Sequence, residues 1–426
     1  MSEDSFDAIV VGAGPAGSAC AYTLAKGGKN VLLLERGDSA GAKNVSGGRL
    51  YTYALELVEL DLYKRAPLQR RIVREQVMLL DERRATTIDF ADPAWGEGVP
   101  QSHSVIRASL DEWFAGEAEA QGATFASGMR VDSLLEEHGR IVGIQVGEDE
   151  MRADIVVAAD GVNSLLGQQA GLFKDVQAQA VGVGVKETIE LPDALISQRF
   201  GVKDGEGAAR VAIGCTEGIS GGAFLYTNQG SVSLGIVFNP EQAAQHGKQI
   251  QDIFQDFKMH PAIAALLEGG TSIEYGAHLV PEMGYHGVPE RLHREGFLVV
   301  GDAAQFGINT GMIIRGMDLA IVSGLAAARA ILQDRGPVAT GPAYMAQLEE
   351  LLVLPNMRAY AEFHGIFGIS RIFKEYPALA NEALQFLFTV DGKVPPPMVK
   401  QLLQVVKSKA SFGQLAADAW KGYRSV

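Results

Sequence analysis

The chain has 426 residues, of which 47% are hydrophobic, and a formal net charge of −14. That length holds two or three domains, and that apolar content supports a large core rather than a disordered chain. The acidic balance argues against a nucleic-acid surface, and no apolar run reaches the ~18 residues that a membrane-spanning helix needs.

The N-terminus "MSEDSFDAIVVG" is acidic and enters a strand at once. It reads as neither a signal nor a transit peptide, so a cytoplasmic location is expected. Strand Ala8–Val11, helix Ser18–Lys26 and strand Val31–Leu34 follow, with Gly27-Gly28 ending the helix. This is a βαβ unit on a parallel sheet. Gly12, Gly14 and Gly17 form G-x-G-x-x-G between the first strand and the helix, with Ala16 inside the motif. The first glycine allows a tight turn, the second lets backbone approach a pyrophosphate, and the third lets the helix pack closely. Glu35 ends the second strand about 20 residues on, where a carboxylate accepts hydrogen bonds from ribose hydroxyls.

The loop after it, "ERGDSAGAKNVSGGRLY", carries Arg36, Ser46, Gly47, Gly48 and Arg49. Arg49 reads as a phosphate partner and the Ser46–Gly48 backbone as lying close to a cofactor ring. Further on, Arg107 precedes a helix ending at Gly122, well placed for a diphosphate. The middle of the chain, with "VGVGVKETIEL" and "SVSLGIVF", reads as a separate strand-rich region. Lys186 and Glu187 there read as polar residues lining a cavity or, the plainer reading, as a charged pair on a solvent-facing strand. His278 and His260 are candidate proton donors.

"GFLVVGDAAQFGINTGMIIRGMDLAI" then returns to an apolar strand with Gly301-Asp302 at its end. Asp302 suits ribityl hydroxyls, and the Gly311-Met312 backbone with the next helix N-terminus suits a flavin ring. Arg107 and Asp302 together with the fingerprint favour FAD over NAD. Cys20 and Cys215 are the only cysteines, too few for an iron–sulfur cluster or a zinc site, so redox chemistry falls to an organic cofactor. After Gly336 the pattern is helical, broken by "VPPPM". Val399, Leu402, Leu403, Val406 and Ala410 form an apolar stripe, flanked by Lys400, Lys407 and Lys409. Such a stripe suits a core face, a partner or a membrane surface.

"AADGVNS" and "GDAA", with the glycine fingerprint, resemble the glutathione-reductase-2 group of FAD proteins. "GAKNVSGGRL", "GVGVKETIELP", "GGAFLYTNQGSVSLGIVF", "DFKMHPAIAALLEGGTSIEYGAHLVPE" and "RGMDLAIVSG" resemble its electron-transfer-flavoprotein:quinone oxidoreductase branch, FixC type. The resemblance implies an α/β fold with an FAD-binding Rossmann-like domain (1–75, 101–178 and 287–335). It also implies a β-rich quinone domain (76–100 and 179–286) and a helical region (336–426). It implies non-covalent FAD held by Gly12, Gly14, Ala16, Gly17, Glu35, Arg36, Ser46, Gly47, Gly48, Arg49 and Arg107. Val131 would meet the adenine side, Gly161 would support the cofactor from behind, and Gly301, Asp302, Gly311 and Met312 complete the set. Mitochondrial-type members carry their own cysteine-ligated cluster; FixC-type members instead work with a separate ferredoxin-like FixX subunit and a FixA/FixB electron-transfer flavoprotein. The implied activity is electron transfer to quinone within a bifurcating complex; because quinone is lipid-soluble, peripheral contact of this otherwise cytoplasmic chain with the inner face of the membrane, through the C-terminal stripe, is one expectation. The alternative on the same fold is an NAD(P)H-dependent flavin hydroxylase or geranylgeranyl-reductase-like enzyme.

Overall fold

The computed structural model describes residues 5–42, 44, 47–173 and 180–425. Ser5–Val11, Val31–Leu34 and Asp149–Ala158 pair in parallel, with Phe297–Val299 and Thr124–Ala126 extending the sheet on either side. Among the described residues this sheet has eight strands. Its central segments, such as Val31–Leu34 and Ile155–Ala158, are apolar throughout and buried, as the strands of a covered parallel sheet are. The first helix spans Pro15–Lys26, beginning three residues before the expected Ser18 because Pro15 occupies its first turn. A proline costs nothing there, since that N–H has no partner in a helix. This helix packs against Met317–Leu332 at close range: a Cβ on Gly324 would fall 2.0 Å from the Ala16 carbonyl oxygen.

A second sheet, of nine strands among the described residues, runs Thr271–Pro281, Val181–Glu190, Ser231–Phe238, Gly221–Thr227, Glu206–Ile213, Arg71–Leu80, Ser102–Val105, Gly48–Tyr51, with Ala85–Ala91 beside Arg71–Leu80. Arg71–Leu80 is thus one strand across the expected 75/76 boundary. Gly48–Tyr51 and Ser102–Val105, expected within the nucleotide-binding part, also join this sheet. Side chains on its strands alternate between two faces. Ala223, Leu225, Leu234 and Ile236 pack against Phe254, Phe257 and Ile263 of the helices Ile250–Met259 and Pro261–Leu267. Phe224, Tyr226 and Val237 lie on the opposite face, toward the first sheet. Helices from Pro337 to Arg424 complete the chain, and the stretch from Thr389 to Pro397 separates two of them.

Candidate functional site

A cavity of about 620 Å³ runs from the glycine fingerprint to the open face of the second sheet. Gly12, Gly14, Ala16, Glu35, Arg36, Gly47, Gly48, Arg49, Arg107, Val131, Gly161 and Asp302 all line it, so the structure brings together residues up to about 290 positions apart. Gly12 must be glycine: its φ is +106°, and a Cβ would sit 2.3 Å from the Ala159 carbonyl oxygen. Gly14 differs, because a Cβ there meets only Arg107 Nη2 at 3.9 Å and projects into the cavity. Open space before the Pro15–Lys26 N-terminus is what a pyrophosphate requires, so the loop fits FAD.

Glu35 also braces the loop. Its Oε2 accepts from the Ala13 N–H at 3.1 Å, and its Oε1 accepts from the Gly37 N–H at 2.7 Å. The Met129 N–H donates to the Glu35 carbonyl and thereby sets Val131 at this end of the cavity. Arg107, the first residue of its helix rather than one before it, is held by a bidentate pair with Asp111 at 3.0 and 2.7 Å. Burial raises the Asp302 carboxyl, while Arg107 and Lys186 nearby pull it down.

Several expected residues take other places. Gly17 and Gly301 do not line the cavity; Gly17 packs against the Gly12 carbonyl, and Gly301 against Ala16. Arg49 spends its guanidinium on Glu75, on Ser102 at 2.9 Å and on the Tyr51 ring, so it walls the cavity rather than reaching for a phosphate. Gly311 and Met312 are likewise off its surface; the flanking Asn309 and Ile314–Met317 line it instead. Met312 opens on a neighbouring cavity of about 630 Å³, where Tyr51, Tyr53, Phe90 and Trp95 are among the walls and which shares Arg49 and Arg315 with the first. Ser46 lies outside the described residues.

His260 is remote from the cavity. It caps its own helix through Nδ1, and its Nε2 meets the Asp81 carbonyl at 3.0 Å, so it is no proton donor to a ligand here. His278 does line the cavity, pushed down to about 4 by burial and by the charges of Lys186, Arg107 and Arg36. The ring is therefore neutral at pH 7. Lys186 and Glu187 do not face solvent. Glu187 turns to the helix-covered face and is buried against Lys258 at 2.7 Å. Lys186 turns to the cavity, with Nζ 5.7 Å from the Phe224 ring centre and 3.4 Å from the Gly47 carbonyl. Burial, then Arg107, brings it down to about 8.

Sequence reasoning also missed Arg315, Asp160 and Glu282. Arg315 ties Asp318, Tyr53 and Asn356 together at the cavity wall. Asp160 keeps one buried oxygen without a partner, and "AADGVNS" was the available signal for it.

Residues 5–198 match an FAD binding domain, 181–280 match "ETF-QO, ubiquinone-binding", and 363–426 match the ETF-QO/FixC family C-terminal domain. Protein FixC of Salmonella typhi is 43% identical across 99% of both chains. A probable electron transfer flavoprotein-quinone oxidoreductase of Escherichia coli K12, YdiS, is 41% identical with the same coverage. Among solved structures, a geranylgeranyl bacteriochlorophyll reductase-like protein from Thermoplasma acidophilum gives a TM-score of 0.72 at 19% identity, covering 95% of this chain and 96% of that one. The myxobacterial halogenase CndH gives 0.66 at 19%, covering 99% and 97%. These two speak for the fold alone. The full-length identity to FixC, with an FAD domain and a ubiquinone-binding segment meeting at one cavity, means that the chain belongs to the ETF-QO/FixC family of FAD-dependent oxidoreductases.

Proposed function

We propose that this chain receives electrons from an electron-transfer flavoprotein of FixA/FixB type and reduces quinone, as the FixC subunit of a bifurcating FixABCX-type complex. The observation that carries this reading is the single cavity walled on one side by the glycine fingerprint and on the other by strands of the ubiquinone-binding segment. FAD supplies the ability to take electrons singly and pass them on in pairs. Gly12–Ala16 and the helix N-terminus would hold its pyrophosphate, Glu35 its adenosine ribose, and Asp302 its ribityl chain. Arg107, fixed by Asp111, offsets negative charge at the middle of the cavity. Cys20 and Cys215 are both pushed up to about 12 by burial, which keeps them as thiols and leaves cluster chemistry to a FixX-type partner.

Anaerobic mixing tests the reading. Flavin reduction through an electron-transfer flavoprotein, but not by NAD(P)H alone, supports it. Rapid bleaching by NAD(P)H alone supports the hydroxylase or geranylgeranyl-reductase alternative.

We also propose that the helix Met398–Lys409 rests on a membrane surface, which quinone chemistry requires of some part of the protein. Among the described residues no helix is long and apolar enough to cross a membrane. On this helix Val399 is 71% exposed and Leu403 41% exposed, next to Lys400 and Lys407. Val399→Asp with Leu403→Asp should abolish flotation with anionic liposomes at unchanged melting temperature; unchanged flotation rules the contact out.

A further inference from the structure

Reducing a quinone to a quinol consumes two protons, and neither histidine singled out in the sequence is placed or poised to deliver one. Another acid is. Glu282 follows the strand Thr271–Pro281 and lines the FAD cavity. Its N–H donates to the Ala180 carbonyl at 3.0 Å. Its side chain lies across Gly182, where a Cβ would come within 2.9 Å of Oε1. The Asn309 amide donates to both carboxyl oxygens, at 3.2 and 3.5 Å. Among the described residues no cation pairs with it.

The groups around Glu282 come from three elements. Gly182 and the neutral His278, with Lys186 further along the cavity wall, belong to the second sheet; Asn309 belongs to the hairpin Ile308–Asn309/Ile314–Arg315. His364, from the short helix His364–Phe367, bonds to the Glu282 backbone and keeps a buried Nδ1 without a partner. His286 acts electrostatically on His364 and is itself half exposed beside Glu362.

We propose that the Glu282 carboxyl gives a proton to the quinone in this cavity. The proposal rests on the quinone-reducing reading above. A bound, reduced flavin would supply two electrons and one proton to the quinone. The second proton leaves Glu282, whose O–H bond breaks as a new O–H forms on the quinone oxygen. The resulting carboxylate regains its proton from water. Burial pushes the Glu282 carboxyl up to about 7, so near neutrality it holds a proton and releases it without a large penalty.

The test uses the full FAD-loaded chain, reduced and mixed by stopped flow with ubiquinone-1 or with ferricenium, a one-electron acceptor that takes no proton. Glu282→Gln should slow ubiquinone-1 reduction tenfold or more while leaving ferricenium reduction unchanged, and Glu282→Asp should recover part of the loss. The wild-type quinone rate should fall as pH rises through about 7, and this limb should vanish in Glu282→Gln. In flavin-free protein, a protonated-carboxyl infrared band should disappear over the same pH range and be absent from Glu282→Gln. An unchanged quinone rate and pH profile in Glu282→Gln would overturn the proposal while leaving quinone reduction intact. Equal slowing with both acceptors would make the residue structural and also overturn it. A wild type that reduces ferricenium but never quinone removes the functional reading and the proposal together.

Discussion

Gly14 and Gly17 belong to one motif, yet alanine at each should fail in a different way. At position 17 the added Cβ would lie 1.9 Å from the Gly12 carbonyl oxygen and 3.2 Å from the Ala159 Cβ. An ordinary carbon–oxygen contact is about 3.3 Å or more, so the turn or the helix must move by more than ~1 Å. The obstacle is backbone, and no side-chain rotation relieves it. The cost belongs at the top of the overpacking range, about 3 kcal/mol, or roughly 3 °C in melting temperature for a chain of this size. At position 14 the backbone is extended (φ −78°, ψ −175°), which any residue adopts, and the Cβ meets nothing closer than 3.9 Å. Gly14→Ala should therefore leave the flavin-free protein within ~0.5 kcal/mol of wild type. Its methyl group takes the space into which a pyrophosphate must come. Losing one hydrogen bond to a charged oxygen costs about 1.5–3 kcal/mol, or ten- to a hundredfold in FAD affinity. Thermal unfolding of the flavin-free variants, with FAD titration followed by fluorescence quenching, separates the two effects. A Gly14→Ala protein that melts as low as Gly17→Ala, or binds FAD as tightly as wild type, would refute this account of the loop.

Lys186→Met should raise the melting temperature of the flavin-free protein at pH 7, because it removes a cation that burial disfavours. In the FAD-loaded protein it should lower the flavin midpoint potential, by on the order of 30 mV if the lost attraction is ~1.4 kcal/mol; equilibrium titration against reference dyes measures it. Arg70, 1% exposed, bonds the Asn228 and Glu206 carbonyls, Ser197 and Asp193. Arg70→Met should cost about 3–5 kcal/mol in denaturant unfolding, because these acceptors lose their partner. Glu187→Met alone should be costly in the same way, since Lys258 is left uncompensated, whereas Glu187→Met with Lys258→Met should recover most of the loss. His103 and His278 are both lowered to about 4, chiefly by burial. The folded state therefore binds fewer protons than the unfolded one between about pH 4 and 6.5, and stability falls as pH drops through that window. Two such groups give a slope of up to about 2.7 kcal/mol per pH unit, and His103→Gln should remove about half of what these two contribute.

What could be read from the sequence is what is local in it. The fingerprint, its flanking strands and Glu35 lie within one short segment, and the strands Val181–Glu190 and Ser231–Phe238 carry their own pattern. Gly48–Tyr51 and Ser102–Val105 are four residues each, too short for a period, and they become strands by pairing with each other and, through Ser102–Val105, with the start of Arg71–Leu80. Gly47 and Gly48 looked like room for a cofactor. Both line the cavity, but Gly47 has a φ of +94° and a Cβ there would come within 2.4 Å of Ser233, so the protein itself already demands glycine at 47, whereas a Cβ on Gly48 would meet only the movable end of the Met317 side chain at 2.7 Å. Valine at position 47 would damage the fold and could not report on FAD.

Lys186 and Glu187 show the same boundary from the side of chemistry. Period-two alternation sends them to opposite faces, but only tertiary structure decides what covers each face. Ile250–Met259 covers the face of Glu187 and answers it with Lys258; the first sheet covers the other face at a distance and leaves a cavity for Lys186. Glu282 is a further step removed, since it follows a strand end and owes its environment to Asn309 and His364, 27 and 82 residues away. A carboxyl raised to about 7 is therefore a product of assembly, which is why the proton donor proposed for this cavity is neither of the histidines the sequence made conspicuous.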